Sequence, residues 1–199
     1  MRSMPGLREQ KKRQTKSSLA TAAVELLVTE GDEGATVAAI ASRAGVSTRT
    51  FHNYFAARED AFLHFIEETI AGWETTMRSA PADQSPFEVL RGIIVAMYDR
   101  PVEDIASVPN LVTVAEHVIV GLGPDGGDRT HRIFRGLREA IVERSGGGLS
   151  PFQARTLIHM CLSASSVVFE AVRDGELAAG RTTQQMLDDA FSFISAGID

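Results

Sequence analysis

The sequence predicts an all-α protein, and three observations lead to that prediction. Apolar residues recur at helical spacing along most of the 199 residues, whereas the alternation typical of β-strands is rare. Glycine, proline, serine and threonine stand at the ends of the periodic segments, where helices are capped and stopped. The composition, with 44% apolar and 23% charged residues, is that of a globular chain with a buried core.

Four helices are predicted in the first third of the chain. The first carries its apolar positions between Leu19 and Leu27, and Gly31 follows where a left-handed C-cap would lie. Thr36 and Ser47 are good N-caps for the next two helices. The second, third and fourth helices are predicted over residues 37–44, 48–54 and 58–78.

The remaining chain predicts five further helical segments. Pro101 and Pro109 should divide the stretch that they bound, and Ser150-Pro151 should begin a long helix because proline suits the first turn. These segments cover residues 87–99, 110–120, 129–144, 151–173 and 182–195.

Several protein classes are not expected from this sequence. No stretch approaches the roughly 20 unbroken apolar residues of a membrane helix, and the residues after Met1 lack the apolar core of a secretory signal. The single cysteine, Cys161, cannot form an internal disulfide. We therefore expect a reduced, cytoplasmic protein.

Charge is distributed unevenly along the chain. The net charge is −6, yet residues 1–16 carry six bases and one acid, whereas residues 61–199 carry eleven arginines and nineteen acids. This asymmetry predicts a basic arm on an acidic body, with contact to a polyanion confined to one end. The arm would precede the first helix and lie along a DNA backbone or enter a minor groove. Its phosphate contacts would come from Lys11, Lys12, Arg13 and Lys16.

The second and third predicted helices form a helix-turn-helix. Gly45 supplies the positive φ that closes the turn, and Ala41 is small where the helices cross. A small core would be formed by Ile40, Val46, Phe51 and Phe55.

That core leaves four polar side chains facing outward, namely Thr48, Arg49, His52 and Asn53. In a major groove, arginine can bridge guanine and asparagine can bridge adenine, so we predict that these four residues contact bases. No acidic residue occurs from Val37 to Arg58, whereas a merely solvated face usually mixes charges. The alternative is a plain helical hairpin with a polar outer face.

The same segment carries a specific order of residues: Leu19, Ala23 and Gly31, then Thr36-Val37, Ile40-Ala41 and Ala44-Gly45-Val46-Ser47, then Thr50-Phe51, Tyr54-Phe55 and Arg58-Glu59-Asp60. Over roughly residues 11–65 this order resembles the N-terminal domain of TetR-family transcriptional regulators. The resemblance implies an all-helical homodimer with a three-helix DNA-binding domain and a larger ligand-binding domain. We predict the first domain, with its basic arm, at residues 1–58 and the second, which also dimerises, at residues 59–199.

The resemblance also implies that Thr36, Thr50, Tyr54 and Arg58 contact phosphates. His52 stands where the family often has an aromatic residue, so groove contact is still expected but the preferred DNA sequence is harder to predict. Arg58 replaces the usual lysine, and its guanidinium could hold a phosphate with two hydrogen bonds.

The last two predicted helices fit a dimer interface. Residues 156–169 carry no formal charge, so we expect this helix to be buried on all sides. One subunit could bury both helices internally, whereas the family packs them against a twin. The predicted interface residues are Ser163, Val167, Met186, Leu187, Ala190, Phe191 and Ile194. Two-fold symmetry would then present two reading helices to a palindromic site.

An effector pocket is implied by the resemblance, which suggests a small apolar ligand bound between the middle helices. Such a ligand would release DNA by favouring a conformer with misplaced reading helices. Candidate lining residues, with His117 as the polar handle, are Trp73, Met97, Tyr98, His117, Phe134, Met160 and Phe169.

Other chemistry has weaker support. Gly121-Leu-Gly-Pro-Asp-Gly126 matches the dinucleotide fingerprint, but no second strand follows, and Pro124 removes an N–H from the phosphate cradle. A nicotinamide-dependent oxidoreductase is thus the enzyme alternative, and a helical interaction module is the binding alternative. The histidines lack metal-ligand spacing, and the arginines at 129, 132, 135 and 138 are interpreted as a solvated face. We expect no catalysis, cofactor or metal, and a ligand-released repressor is the preferred interpretation.

Overall fold

The computed structural model describes residues 6–122, 132–175 and 180–196, and within these ranges the chain is helical with no strand. The predicted all-α class is confirmed. The helices are α1 (Leu7–Gly34), α2 (Val37–Arg43), α3 (Thr48–His52), α4 (Arg58–Ser79), α5 (Pro86–Tyr98), α6 (Val108–Leu122), α7 (Arg135–Arg144), α8 (Pro151–Asp174) and α9 (Thr183–Ala196).

Helix α1 begins earlier than predicted, directly after its N-cap Gly6. Residues 7–14 contain only good helix formers and no β-branched residue, which explains this early start. The prediction of a basic arm preceding the helix is therefore wrong, because the arm's bases lie inside α1. They are Lys11, Lys12, Arg13 and Lys16.

Most predicted helix ends are confirmed by their geometry. Gly31 has the positive φ of 74° that glycine favours, but α1 only kinks there and ends at Gly34, so Gly31 is not the predicted C-cap. The hydroxyls of Thr36 and Ser47 accept hydrogen bonds from the N–H groups of residues 39 and 50. Ser85 and Ser150 form capping boxes with the side chains three residues later.

Two predicted boundaries differ from the structure. Pro109 was expected to divide its segment, but it lies in the first turn of α6, where its missing N–H is not needed. The helix expected over residues 129–144 begins in the structure at Arg135, with Phe134 as its N-cap, and residues 123–131 lie outside the described ranges.

The chain divides into two compact units. The first combines Met1–Thr69 with Asn110–Arg129, and the second combines Ile70–Pro109 with Thr130–Asp199, each counted over its described residues. The predicted functional division after residue 58 falls at the start of α4 and stays a prediction.

Each unit has its own apolar core. In the first unit, α1 packs on α2 and α2 packs on α3. Fully buried side chains there include Leu19, Val24, Ile40, Phe51, Phe62 and Val114. In the second unit, α8 packs against α5, α7 and α9. Its fully buried side chains include Met77, Leu90, Ile94, Leu137, Ile141, Leu187 and Phe191.

Candidate nucleic-acid interface

The turn between α2 and α3 is closed by the backbone. The N–H of Gly45 donates to the Ser42 carbonyl at 3.0 Å, and the N–H of Val46 donates to the Ala41 carbonyl at 2.9 Å. Gly45 has φ 69°, so the predicted positive φ is confirmed, and any other residue there would be strained. This turn fixes the direction in which α3 leaves α2.

Behind α3 lies the predicted small core. Ile40 and Phe51 are fully buried, Phe55 is 4% exposed, and the rings of Phe51 and Phe55 lie 5.7 Å apart. Ala41, predicted to be small at the crossing, is also buried. Val46 differs from the prediction because it is only half-buried at the edge of the turn. The apolar side of α3 is thus held against α2.

The opposite side of α3 presents the predicted base-contacting residues. Thr48, Arg49, His52 and Asn53 are all exposed. Asn53 continues the helical conformation as the C-cap, and the ring of His52 meets Phe51 edge-on at 5.5 Å. Four polar groups therefore face solvent from one short element with a buried back.

The residues predicted to contact phosphates differ in their exposure and in their local contacts. Thr36 is exposed and caps α2, while Thr50 is half-buried and its hydroxyl lies 2.9 Å from the Ser47 hydroxyl. Tyr54 is half-buried. Lys16 is half-buried as well, and its Nζ lies 5.4 Å from the centre of the Phe55 ring, at cation–π range.

The basic side chains nearer the start of α1 are exposed to solvent. Lys11, Lys12 and Arg13 are exposed, and the Lys11 carbonyl accepts a hydrogen bond from the Thr15 hydroxyl at 3.0 Å. These charges therefore extend from an ordered helix, and only Lys16 of the four packs on the core of the helix-turn-helix.

Arg58 is engaged by the protein itself. Its Nη2 donates to both carboxylate oxygens of Asp32 at 2.8 and 2.9 Å. Its Nη1 donates to the main-chain carbonyls of Asp32 and Ala35, and its Nε donates to Glu59. The hydrogen bond to Asp32 raises the pKa of Arg58, so the guanidinium is charged throughout.

Sequence reasoning missed the role of Asp32. This residue follows the kink at Gly31, and its carboxylate also lies 3.6 Å from Nε2 of His117 on α6. His117 was predicted to be a polar handle in a ligand pocket. In the structure it faces Asp32, and its Nδ1 lies 2.9 Å from the Thr113 carbonyl. No spacing in the sequence connects these residues.

A groove of about 1150 Å³ lies open along α8 and α9. The predicted interface residues Ser163, Val167, Met186, Ala190 and Ile194 all line it. Helix α8 was expected to be buried on all sides, but within the protomer Val167 is 59% exposed. The apolar face of this helix therefore continues beyond what one chain covers.

Two predicted interface residues belong elsewhere. Leu187 and Phe191 are each 1% exposed within the protomer, and the Phe191 ring meets the ring of Phe87 on α5 at 6.0 Å. They are core residues of the second unit, so the interface prediction is corrected for these two.

The remaining pocket candidates are dispersed. Met160 is 41% exposed and lines the groove along α8 and α9. The Tyr98 hydroxyl donates a hydrogen bond to the Ser165 carbonyl at 2.6 Å. The side chain is partly buried, and this burial raises the pKa of Tyr98. The other four side chains are half-buried, namely Trp73, Met97, Phe134 and Phe169. A pocket formed by these residues stays a prediction.

Groups of metal-ligating side chains and membrane-spanning helices are absent from the described ranges. Within them, no cluster of histidine, cysteine and acidic side chains could hold a metal, and no helix is long and apolar enough to cross a membrane. The dinucleotide fingerprint from Gly121 to Gly126 lies largely outside the described residues.

Comparison with known proteins gives a family match for this interface. Residues 19–64 match the family model of bacterial regulatory proteins, tetR family. The HTH-type transcriptional regulator TcmR of Streptomyces glaucescens is 33% identical over 96 residues, which are 48% of this chain and 42% of TcmR. The chain thus matches less than half the length of this curated relative.

Solved structures resemble this chain over nearly its whole length. FadR of Thermus thermophilus, a TetR-family transcriptional repressor in complex with lauroyl-CoA, has a TM-score of 0.56 and 24% identity, covering 92% of this chain and 95% of that chain. The transcriptional regulator FadR of Bacillus subtilis, in complex with stearoyl-CoA, has a TM-score of 0.59 and 19% identity, covering 88% and 97%. At such low identity these matches show a shared fold alone.

Proposed function

We propose that this chain is a sequence-specific DNA-binding repressor of the TetR family, whose family model matches residues 19–64. A small apolar ligand releases it from a palindromic operator. The observation that carries the proposal is the outer face of α3, where Thr48, Arg49, His52 and Asn53 are exposed over a buried back.

Base reading follows from the chemistry of this face. The Arg49 guanidinium can donate two hydrogen bonds to guanine, and the Asn53 amide can both donate to and accept from adenine. Thr48 and His52 add a hydroxyl and an imidazole for neighbouring base edges. Phosphate contacts from Thr36 and from the lysine and arginine side chains of α1 would orient α3 in the DNA major groove without reading the sequence.

A second copy of this chain is the proposed occupant of the groove along α8 and α9. The groove is mainly apolar and includes Phe152 and Phe193, which are 78% and 63% exposed. Side chains of this size are costly to leave in water. Two-fold pairing through the same face on both copies would cover them and duplicate the reading helix.

A fatty acyl chain is the first class of apolar ligand to test. Two FadR proteins of the same fold were solved with lauroyl-CoA and stearoyl-CoA. The described cores of this chain are dominated by aliphatic and aromatic side chains, which are compatible with an acyl chain. Lauroyl-CoA is therefore the first ligand to test for release of DNA.

The direct test is selection of duplexes from a randomised pool by the full-length protein. We expect a palindromic sequence whose binding is lost in Arg49→Ala and Asn53→Ala, because these variants remove the paired hydrogen bonds to bases. Binding of all duplexes alike by the wild-type protein would refute sequence-specific reading and favour a helical interaction module.

A second experiment separates phosphate contacts from base contacts. The triple variant Lys11→Gln, Lys12→Gln and Lys16→Gln should weaken binding to all duplexes and lower the slope of log affinity against log salt by about one unit per lost contact. Asn53→Ala is the matched control, since it should reduce sequence preference and leave the slope unchanged. An unchanged slope in the triple variant would contradict phosphate contact by α1.

A further inference from the structure

Arg58 has no hydrogen-bond donor left for DNA in the conformation observed. An arginine side chain has five N–H groups, and this one meets five acceptor atoms. Two acceptors are the carboxylate oxygens of Asp32, two are the carbonyls of Asp32 and Ala35, and one is the carboxylate of Glu59. A phosphate can therefore bind this guanidinium only by displacing an acceptor that the protein supplies.

The Asp32 carboxylate is the acceptor best suited to be displaced. Both of its oxygens meet one nitrogen of Arg58, Nη2, whose N–H groups a phosphate oxygen can accept from as well. The two side chains are 26% and 53% exposed, so the pair lies at the surface. Surface ion pairs of this kind are weak enough for the concentrated charge of DNA to compete with them.

Displaced Asp32 would not be left without a partner. Nδ1 of His117 lies 2.9 Å from the Thr113 carbonyl, which can only accept, so the proton of this contact is on Nδ1. Nε2 of the same ring lies 3.6 Å from the Asp32 carboxylate. Solvent can hydrate the remaining oxygen because more than half of the Asp32 side chain is exposed.

We propose that Asp32 is an intramolecular competitor for DNA, which occupies the Arg58 guanidinium in the free protein and must be displaced by a phosphate when the operator binds. This inference rests on the proposed function and adds a regulatory contact to it. The same carboxylate lowers affinity for every duplex equally, because a phosphate carries no sequence information. The Asp32 carboxylate therefore lowers the affinity for non-specific DNA as well as for the operator.

The test is a double-mutant cycle on the full-length protein, with the duplex selected by the wild type as probe. Asp32→Asn removes the competing charge, and Arg58→Gln removes the guanidinium. Glu33→Gln is the matched control, because Glu33 is the adjacent carboxylate and is exposed. Dissociation constants are measured by fluorescence anisotropy at one salt concentration, and melting curves establish that each variant is folded.

We expect Asp32→Asn to bind about twofold to fivefold more tightly per protomer, the range that exposed ion pairs span. We expect Arg58→Gln to bind more weakly, and Asp32→Asn to have no further effect in the Arg58→Gln background. Glu33→Gln should give a smaller gain that is the same with or without Arg58. Asp32→Ala repeats the measurement if the asparagine variant does not fold.

Two results would overturn the inference while leaving the proposed function intact. An equal gain from Asp32→Asn in both backgrounds would mean that its charge acts on DNA directly. Weaker binding by folded Asp32→Asn would mean that Asp32 positions Arg58 for DNA. If neither the wild type nor any variant binds DNA, the inference and the proposed function both fall.

Discussion

Arg144 provides the sharpest test of how the second unit is held together. This residue ends α7, and its side chain donates to the carbonyls of Met77 and Ala80 at 3.0 and 3.1 Å, near the C-terminus of α4. It also donates to the carbonyls of Pro81 and Gln84 in the following turn. One guanidinium thus satisfies carbonyls that a helix end leaves without partners.

The cost of removing these hydrogen bonds can be worked from their exposure. The carbonyls of Pro81 and Gln84 are exposed and can bind water instead, whereas the bonds to Met77 and Ala80 are partly buried. An unsatisfied buried carbonyl costs about 1–3 kcal/mol, and partial burial favours the low end of that range. Arg144→Met, which retains the apolar stem, should therefore lose about 2 kcal/mol of unfolding free energy.

For a chain of this size that loss corresponds to a melting temperature lower by roughly 4–8 °C. Thermal and urea unfolding followed by circular dichroism measure it at a fixed protein concentration. Arg135→Met is the control, because Arg135 is an exposed arginine on the same helix. If both variants melted at the same temperature, the carbonyl contacts of Arg144 would contribute no net stability and the reasoning would be refuted.

Three further predictions concern the groove, the thiol and a helix cap. If the proposed dimer forms through the groove, Val167→Asp should give a monomer in light scattering. Val172→Asp should not, because Val172 is exposed on α8 but outside the groove. Equal masses for the two variants would contradict the groove as the interface. Burial raises the pKa of Cys161 to about 12, so a disulfide reagent should modify this thiol only as fast as the protein unfolds, and immediate reaction would disprove its burial. The hydrogen bond from the Ser85 N–H lowers the pKa of Glu88 in the folded state. In urea unfolding, wild type should therefore be more stable than Glu88→Gln above the unfolded-state pKa of Glu88, and this advantage should disappear as the pH falls through the folded-state pKa. A stability difference that does not change with pH would count against the contact.

The sequence predicted the helix-turn-helix well because its signals are local. The hydroxyls of Thr36 and Ser47 cap helices that start at the next residue, and Gly45 closes a turn within five residues. Capping and positive φ depend on the residues themselves, and a periodic apolar pattern identifies the buried side of each helix. These rules require no knowledge of the remaining chain.

The sequence could not predict which helix covers each apolar side chain, or which carboxylate pairs with a given arginine. Phe191 and Ile194 lie on one apolar stripe of α9, yet Phe191 faces α5 and Ile194 lines the groove. Arg58 meets Asp32 across 26 positions because the backbone turns at Gly31, and nothing in the spacing indicates that path. Such contacts depend on the tertiary arrangement, which outweighs local pattern.

The open groove along α8 and α9 has a consequence for dose. With a second copy as its cover, folding and assembly share one equilibrium, and protomer stability rises with protein concentration by mass action. At low concentration the number of assembled dimers then varies as the square of the number of chains. Halving the chains in a growing cell would reduce operator occupancy by more than half, so a repressor of the proposed kind would respond to dilution as well as to a ligand.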